Sequence, residues 1–166
     1  MTGVAFFFVG AVLFVTAMQM FGKAEVKGVA VFHAILGGLL SVIVAIILYT
    51  AQETADYFSA FLLLLFVFTY LPVAATFWYG LDAKFLGWYC LVVAITMIPV
   101  AIHIWPGDRL ISIDLLIFGA LWFCFYLLMA LEKPIGKFVA YFTFLVSLLA
   151  MVPGYLMLID KWNLGT

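Results

Sequence analysis

Six apolar stretches, each long enough to cross the hydrocarbon core of a bilayer as a helix, constrain this chain more than any other feature. They fall at about residues 3–22, 28–50, 58–79, 85–105, 111–131 and 138–159, and a membrane-crossing helix needs about 20 apolar residues. Charged residues lie almost wholly between them. With 69% of its 166 residues hydrophobic and 9% charged, the chain carries more apolar surface than a water-soluble domain of this size can bury; soluble domains average about a quarter charged. Runs such as Phe61-Leu62-Leu63-Leu64-Leu65-Phe66 do not alternate as a barrel strand must. A helix also satisfies its own backbone polar groups, which lipid cannot do. The predicted fold is all-α, a polytopic bundle of six transmembrane helices forming one domain over residues 1–166. Disorder is excluded by the hydrophobicity. Nucleic-acid binding is excluded because seven scattered Lys and Arg residues cannot track a phosphate backbone.

The basic residues set an orientation. Odd-numbered loops and their flanks hold Lys23, Lys27, Lys84, Lys133 and Lys137, whereas the other side holds Arg109 and Lys161. The positive-inside rule puts the odd loops in the cytoplasm and both termini outside. No Lys or Arg precedes Lys23, and the first stretch is too long for a signal-peptide core, so it reads as a retained helix. The inner turns Phe21-Gly22-Lys23, Gly80-Leu81-Asp82 and Leu131-Glu132-Lys133 form a faint repeat, compatible with three hairpins around a centre. The outer loops, about 51–57 and 106–110, are short, and no soluble portion is left to hold a conventional active site.

The interior is defined by what it lacks. No Asp, Glu, Lys or Arg lies near the middle of any stretch, and Asp114, early in the fifth, comes closest. Carriers of ions and protons place ionisable residues inside the bilayer, so a proton-coupled pump and a charge-lined ion channel are disfavoured; a neutral solute needs neither. The polar residues inside are mild: Thr16, Gln19, His33, Ser41, Thr69, Tyr70, Thr76, Thr96, Thr143 and Ser147. Bonding back to their own helices is the ordinary use of such groups. Gly37 and Gly38 fit a close helix approach, and Pro72 and Pro99 each remove a backbone donor. Aromatic residues recur at helical spacing: Phe66 and Tyr70 in the third stretch, and Leu115, Phe118, Trp122 and Phe125 in the fifth. Phe6, Val9, Leu13 and Thr16 form a similar stripe in the first. Packing or lipid contact explains most such stripes. Trp88, Trp105 and Trp162 mark span ends, where interfacial belts form, but Trp122 is mid-span and its indole N–H wants a partner. His33 and His103 have no second ligand at metal spacing, and Cys90 and Cys124 are isolated. No catalytic motif and no cofactor site is expected.

Several segments together resemble the AmiS/UreI family of urea and short-chain amide channels. They are Phe8-Val9-Gly10, Phe68-Thr69-Tyr70-Leu71, Gly80-Leu81-Asp82, Gly87-Trp88-Tyr89-Cys90, Ala120-Leu121-Trp122-Phe123, Gly136-Lys137-Phe138-Val139 and Val152-Pro153-Gly154. The resemblance runs in order along nearly the whole chain. It implies a six-helix protomer built as three hairpins, a pore within each protomer, a homo-hexameric ring and a bacterial inner-membrane location. It also implies a functional link to a cytoplasmic amidase or urease. By position, the implied pore lining is Phe6, Val9 and Leu13, Phe66 and Tyr70, and Leu115, Phe118, Leu121 and Trp122.

Four departures stand out. Urea-conducting relatives carry Trp at the positions of Leu115 and Phe118, so this slot is expected to be wider or less polar. Some members have a carboxylate midway along the last helix; here Ser147 is the candidate substitute. Where the family has Asn near the start of the second helix, this chain has His33. Acid-gated members carry long His-bearing outer loops, which are short and His-free here, so an open channel is expected. The expected function is passive conduction of urea, formamide or acetamide, without enzymatic activity. The alternatives are a regulatory or scaffold subunit that only packs against partner helices, and a coupled transporter of a neutral solute.

Overall fold

The computed structural model describes residues 2–161, with Thr2 described by its backbone alone. Trp162, expected at a membrane interface, therefore lies outside the described residues. Six helices follow in order: α1 Thr2–Met20, α2 Val26–Thr50, α3 Thr54–Tyr79, α4 Lys84–Ile104, α5 Arg109–Met129 and α6 Gly136–Leu158. No strand occurs among the described residues. All six are long and apolar enough to cross a membrane, and each agrees with its expected stretch to within a few residues.

Local chemistry explains the ends. After α1, Gly22 adopts a positive φ of 72°; its N–H donates to the Gln19 carbonyl at 2.8 Å and that of Lys23 to Met18 at 2.8 Å. Gly80 closes α3 in the left-handed region with φ 65°, a conformation glycine adopts without a Cβ penalty. Asp108 caps α5, its Oδ1 accepting from the Ile111 N–H at 3.0 Å. Before α3, Asp56 Oδ2 accepts from the backbone N–H groups of Gln52 at 3.0 Å and Glu53 at 3.2 Å. The outer connections are shorter than the sequence suggested, only 51–53 and 105–108.

The chain forms two compact units: Val26–Asp82, and Met1–Glu25 together with Ala83–Thr166. In the smaller unit α2 packs along α3. In the larger, α4 packs along α5, α5 meets α6, and α6 packs along α1. Thus α2–α3 and α4–α5 are hairpins in chain order. The third pair, α1–α6, unites the two ends of the described chain.

Small residues make these pairings. A Cβ added to Gly10 on α1 would lie 2.7 Å from the Ser147 carbonyl oxygen, and one added to Gly154 on α6 would lie 2.5 Å from the Phe7 nitrogen. Gly87 on α4 meets Ala130 just past α5, with an added Cβ 2.5 Å from its nitrogen, and Gly37 on α2 meets Leu71 on α3. Lipid is as apolar as leucine, so membrane helices associate by close packing rather than by escape from water. Gly38, the other half of the expected pair, has nothing within 4 Å of an added Cβ.

Outward faces stay apolar and uncovered: Ile35, Leu39, Val42 and Ile46 on α2 and Val92, Ile95 and Ile102 on α4 are exposed. Water would not tolerate such faces; lipid or another copy of the chain does. Trp88 and Trp105 are half exposed near the two ends of α4, as an interfacial belt requires.

Candidate functional site

The mild polar residues of the spans mostly turn back into their own helices. The hydroxyls of Thr16, Ser41, Thr69, Thr96 and Thr143 each donate to a carbonyl four residues earlier, at 2.7–2.8 Å. Ser147 donates to the Phe144 carbonyl at 2.6 Å, and its own carbonyl faces Gly10 of α1. Ser147 is thus engaged at the α1–α6 contact. His33, 3% exposed, has Nδ1 at 2.9 Å from the Val29 carbonyl oxygen.

Three buried side-chain atoms lack a hydrogen-bond partner among the described residues: the Tyr70 hydroxyl, Thr76 Oγ1 and Asp114 Oδ2. Leaving a buried polar atom unsatisfied costs about 1–3 kcal/mol, so each marks a place where something outside the chain is wanted.

The ring-bearing residues assemble within each unit. In the larger unit, Phe6 of α1 meets Phe118 of α5 edge-on, with centroids 6.2 Å apart and planes at 81°. Phe118 continues to Trp122, one turn on, at 5.5 Å. Val9, Leu13, Leu115, Phe118, Leu121 and Trp122 are all buried, and Phe6 is partly so. The glycines explain this arrangement. On α1 the edge carrying Gly3 and Gly10 is held by α6, and helical spacing puts Phe6, Val9 and Leu13 on the adjacent face. On α5, Gly119 is turned to Met97 and Ala94 of α4, while Phe118, about 100° round the helix from it, meets Phe6 of α1. Two stripes read separately in the sequence are therefore one ring-walled surface.

In the smaller unit, Phe66 and Tyr70 lie 6.0 Å apart on α3. Tyr70 is 2% exposed, and the His33 ring packs edge-on against it at 5.6 Å and against Phe77 at 6.1 Å. The sequence stripe contained Phe66 and Tyr70 but not His33 or Phe77. Phe77 lies seven residues after Tyr70 on the same helical face, which was the available signal.

No group of three or more His, Cys, Asp or Glu residues suited to a metal occurs among the described residues. Cys90 and Cys124 are free, Cys90 buried and Cys124 partly so. The ring-walled surface of the larger unit offers flat apolar walls and an indole, chemistry that suits a small planar uncharged molecule.

The chain is similar to known proteins along nearly its whole length. Residues 1–161 match the family model described as AmiS/UreI family transporter. A candidate transporter of amidate substrates from Mycolicibacterium smegmatis is 33% identical over 172 residues, covering 99% of this chain and 80% of that protein. An acid-activated urea channel of Helicobacter pylori is 29% identical over 194 residues, covering 98% of this chain and 100% of that one. The crystal structure of the urea channel from the human gastric pathogen H. pylori has a TM-score of 0.89 at 30% identity, covering 98% of this chain and 99% of that chain. Six membrane-length apolar helices, a ring-walled buried face and similarity along nearly the whole sequence lead to one conclusion: this multi-pass membrane protein belongs to the AmiS/UreI transporter family.

Proposed function

We propose that the protein is a passive channel for urea or small neutral amides such as formamide and acetamide. The observation that carries this reading is the buried line of rings Phe6–Phe118–Trp122, set among helices whose hydroxyls are mostly bonded to their own backbones. A planar amide slides between such rings, held by stacking and N–H···π contacts of about 1 kcal/mol or less each. The Trp122 indole and Tyr70 hydroxyl supply brief hydrogen bonds, and weak binding keeps exit fast. Val9, Leu13, Leu115 and Leu121 fill the apolar wall, and Phe66 and Tyr70 have the lining role that the family resemblance implies.

The protein acts as a homo-hexamer in a bacterial inner membrane, with the odd loops cytoplasmic and both termini outside. It catalyses no reaction itself, and a cytoplasmic amidase or urease consumes what it admits. The channel stays open without acid, because the outer connections 51–53 and 105–108 contain no His.

Stopped-flow light scattering of proteoliposomes tests the reading. Urea, formamide or acetamide uptake is expected to run several-fold faster than in empty vesicles, without dependence on a proton or sodium gradient. Uptake no faster than in empty vesicles ends the proposal, and uphill accumulation driven by a gradient replaces it with a coupled transporter.

A further inference from the structure

Asp114 is an ionisable group that this reading leaves without a task. It lies on the second turn of α5 and is 8% exposed, with Oδ2 lacking a hydrogen-bond partner among the described residues. Its polar neighbours in sequence are already engaged. The Ser112 hydroxyl donates to the Asp108 carbonyl at 2.8 Å, and Asp108 Oδ1 accepts from the Ile111 N–H at 3.0 Å. Arg109, the nearest cation in sequence, is exposed. A buried carboxylate oxygen is poorly tolerated without a donor.

Its position on α5 gives this carboxyl group meaning. Asp114, Phe118 and Leu121 fall within about 60° around the α5 axis, and Phe118 lies about 6 Å further along it. Phe118 is the residue that meets Phe6 and Trp122. The carboxyl group therefore stands one turn before the line of rings, on the same buried face. In the proposed topology α5 begins at the outer side, so a solute arriving from outside reaches Asp114 before the rings.

We infer that Asp114 is a solute-recognition residue, its carboxylate accepting N–H bonds from a planar amide or urea at the mouth of the ring-walled path. The inference rests on the channel reading above. The two parallel N–H groups of urea match the two oxygens of a carboxylate, the geometry that makes Arg–carboxylate pairs bidentate. A cationic planar mimic of urea, guanidinium, gains charge assistance at the same point. Beyond Asp114 the rings offer cation–π contacts but no hydrogen-bond acceptors or countercharge to replace its hydration, so guanidinium stops there and blocks.

The test is urea uptake by proteoliposomes holding the full chain, with millimolar guanidinium outside against equal sodium or tetramethylammonium. In the wild type guanidinium is expected to slow urea uptake, while tetramethylammonium, which has no N–H, does not. Asp114→Asn, checked for wild-type oligomer size, is expected to raise the half-blocking guanidinium concentration roughly fivefold or more and to slow urea uptake roughly threefold, as loss of a charge-assisted bond requires. Absence of selective guanidinium block in the wild type overturns the inference whatever the variant does. Equal block in wild type and Asp114→Asn overturns it as well, and in both cases urea conduction stands. A wild-type protein that conducts no urea overturns the channel reading and this inference with it.

Discussion

Polar side chains in this protein divide by whether their own helix can satisfy them. Most short hydroxyls reach back to a carbonyl three or four residues earlier, as those of Thr16, Ser41, Thr69, Thr96, Thr143 and Ser147 do, Thr76 being an exception. The phenol of Tyr70 stands too far from its own backbone for this, and it is buried with no partner among the described residues. Tyr70→Phe is therefore expected to leave stability within about 1 kcal/mol of wild type, or to raise it, since an unsatisfied group is lost. The same change is expected to slow urea uptake about twofold or more, because one transient hydrogen bond of about 0.5–1.5 kcal/mol leaves the path. Thermal unfolding in detergent and stopped-flow uptake measure the two effects separately. Trp122 and Phe144 make a second comparison. Trp122 is 4% exposed and continues the ring line from Phe118, whereas Phe144 packs against Phe14, centroids 5.7 Å apart, at the α1–α6 contact. Trp122→Ala is expected to change urea flux or the urea-to-acetamide ratio clearly more than Phe144→Ala does. Equal, negligible effects would remove Trp122 from the selective path.

At the scale of elements, glycine fit decides which helices pair. A Cβ at Gly154 meets the Phe7 backbone at 2.5 and 2.9 Å, with Gly3 oxygen at 3.0 Å; backbone atoms cannot swing aside as a side chain does. Gly154→Ala is expected to force α1 and α6 apart and to lower stability by about 1–3 kcal/mol, the usual range for overpacking. Gly38→Ala meets open space and is expected to be neutral, or stabilising by up to about 1 kcal/mol through helix propensity. Thermal unfolding in detergent compares the pair, and similar losses in both would remove the steric account. Helix existence was legible in advance because hydropathy and length determine it. Helix partnership was not: Gly3, Gly10 and Gly154 belong to opposite ends of the sequence, and nothing in their spacing announces that they meet.

For the whole molecule, the informative features are the short outer connections and the uncovered apolar faces. Segments 51–53 and 105–108 hold no His, the side chain whose ordinary charge change falls between pH 5 and 8. In the Asp114→Asn variant, which lacks the carboxyl placed at the mouth of the path, urea uptake is accordingly expected to be the same within about twofold at pH 5 and pH 7.5. A sharp rise on acidification would place a sensor elsewhere. The exposed apolar faces of α2 and α4 are consistent with a lipid-embedded oligomer, and native mass spectrometry in detergent is expected to find six copies.

The sequence by itself determined the number of helices, their extents to within a few residues and their membrane environment, because these depend on one-dimensional quantities: apolar length, the placement of charge, and turn segments such as those at Gly22 and Gly80. Its ordered motifs also carried the family resemblance. Only the tertiary structure decided that α1 lies along α6, that Phe6 meets Phe118 and that Ser147 is engaged at Gly10. It also showed that Asp114, noticed in the sequence merely as the charge nearest a span's interior, is buried with one oxygen unpartnered among the described residues. The physical reason is that lipid accepts every face of an apolar helix. Periodicity then cannot separate the face that meets another helix from the face that meets lipid, and that choice is left to the fit of particular side chains in three dimensions.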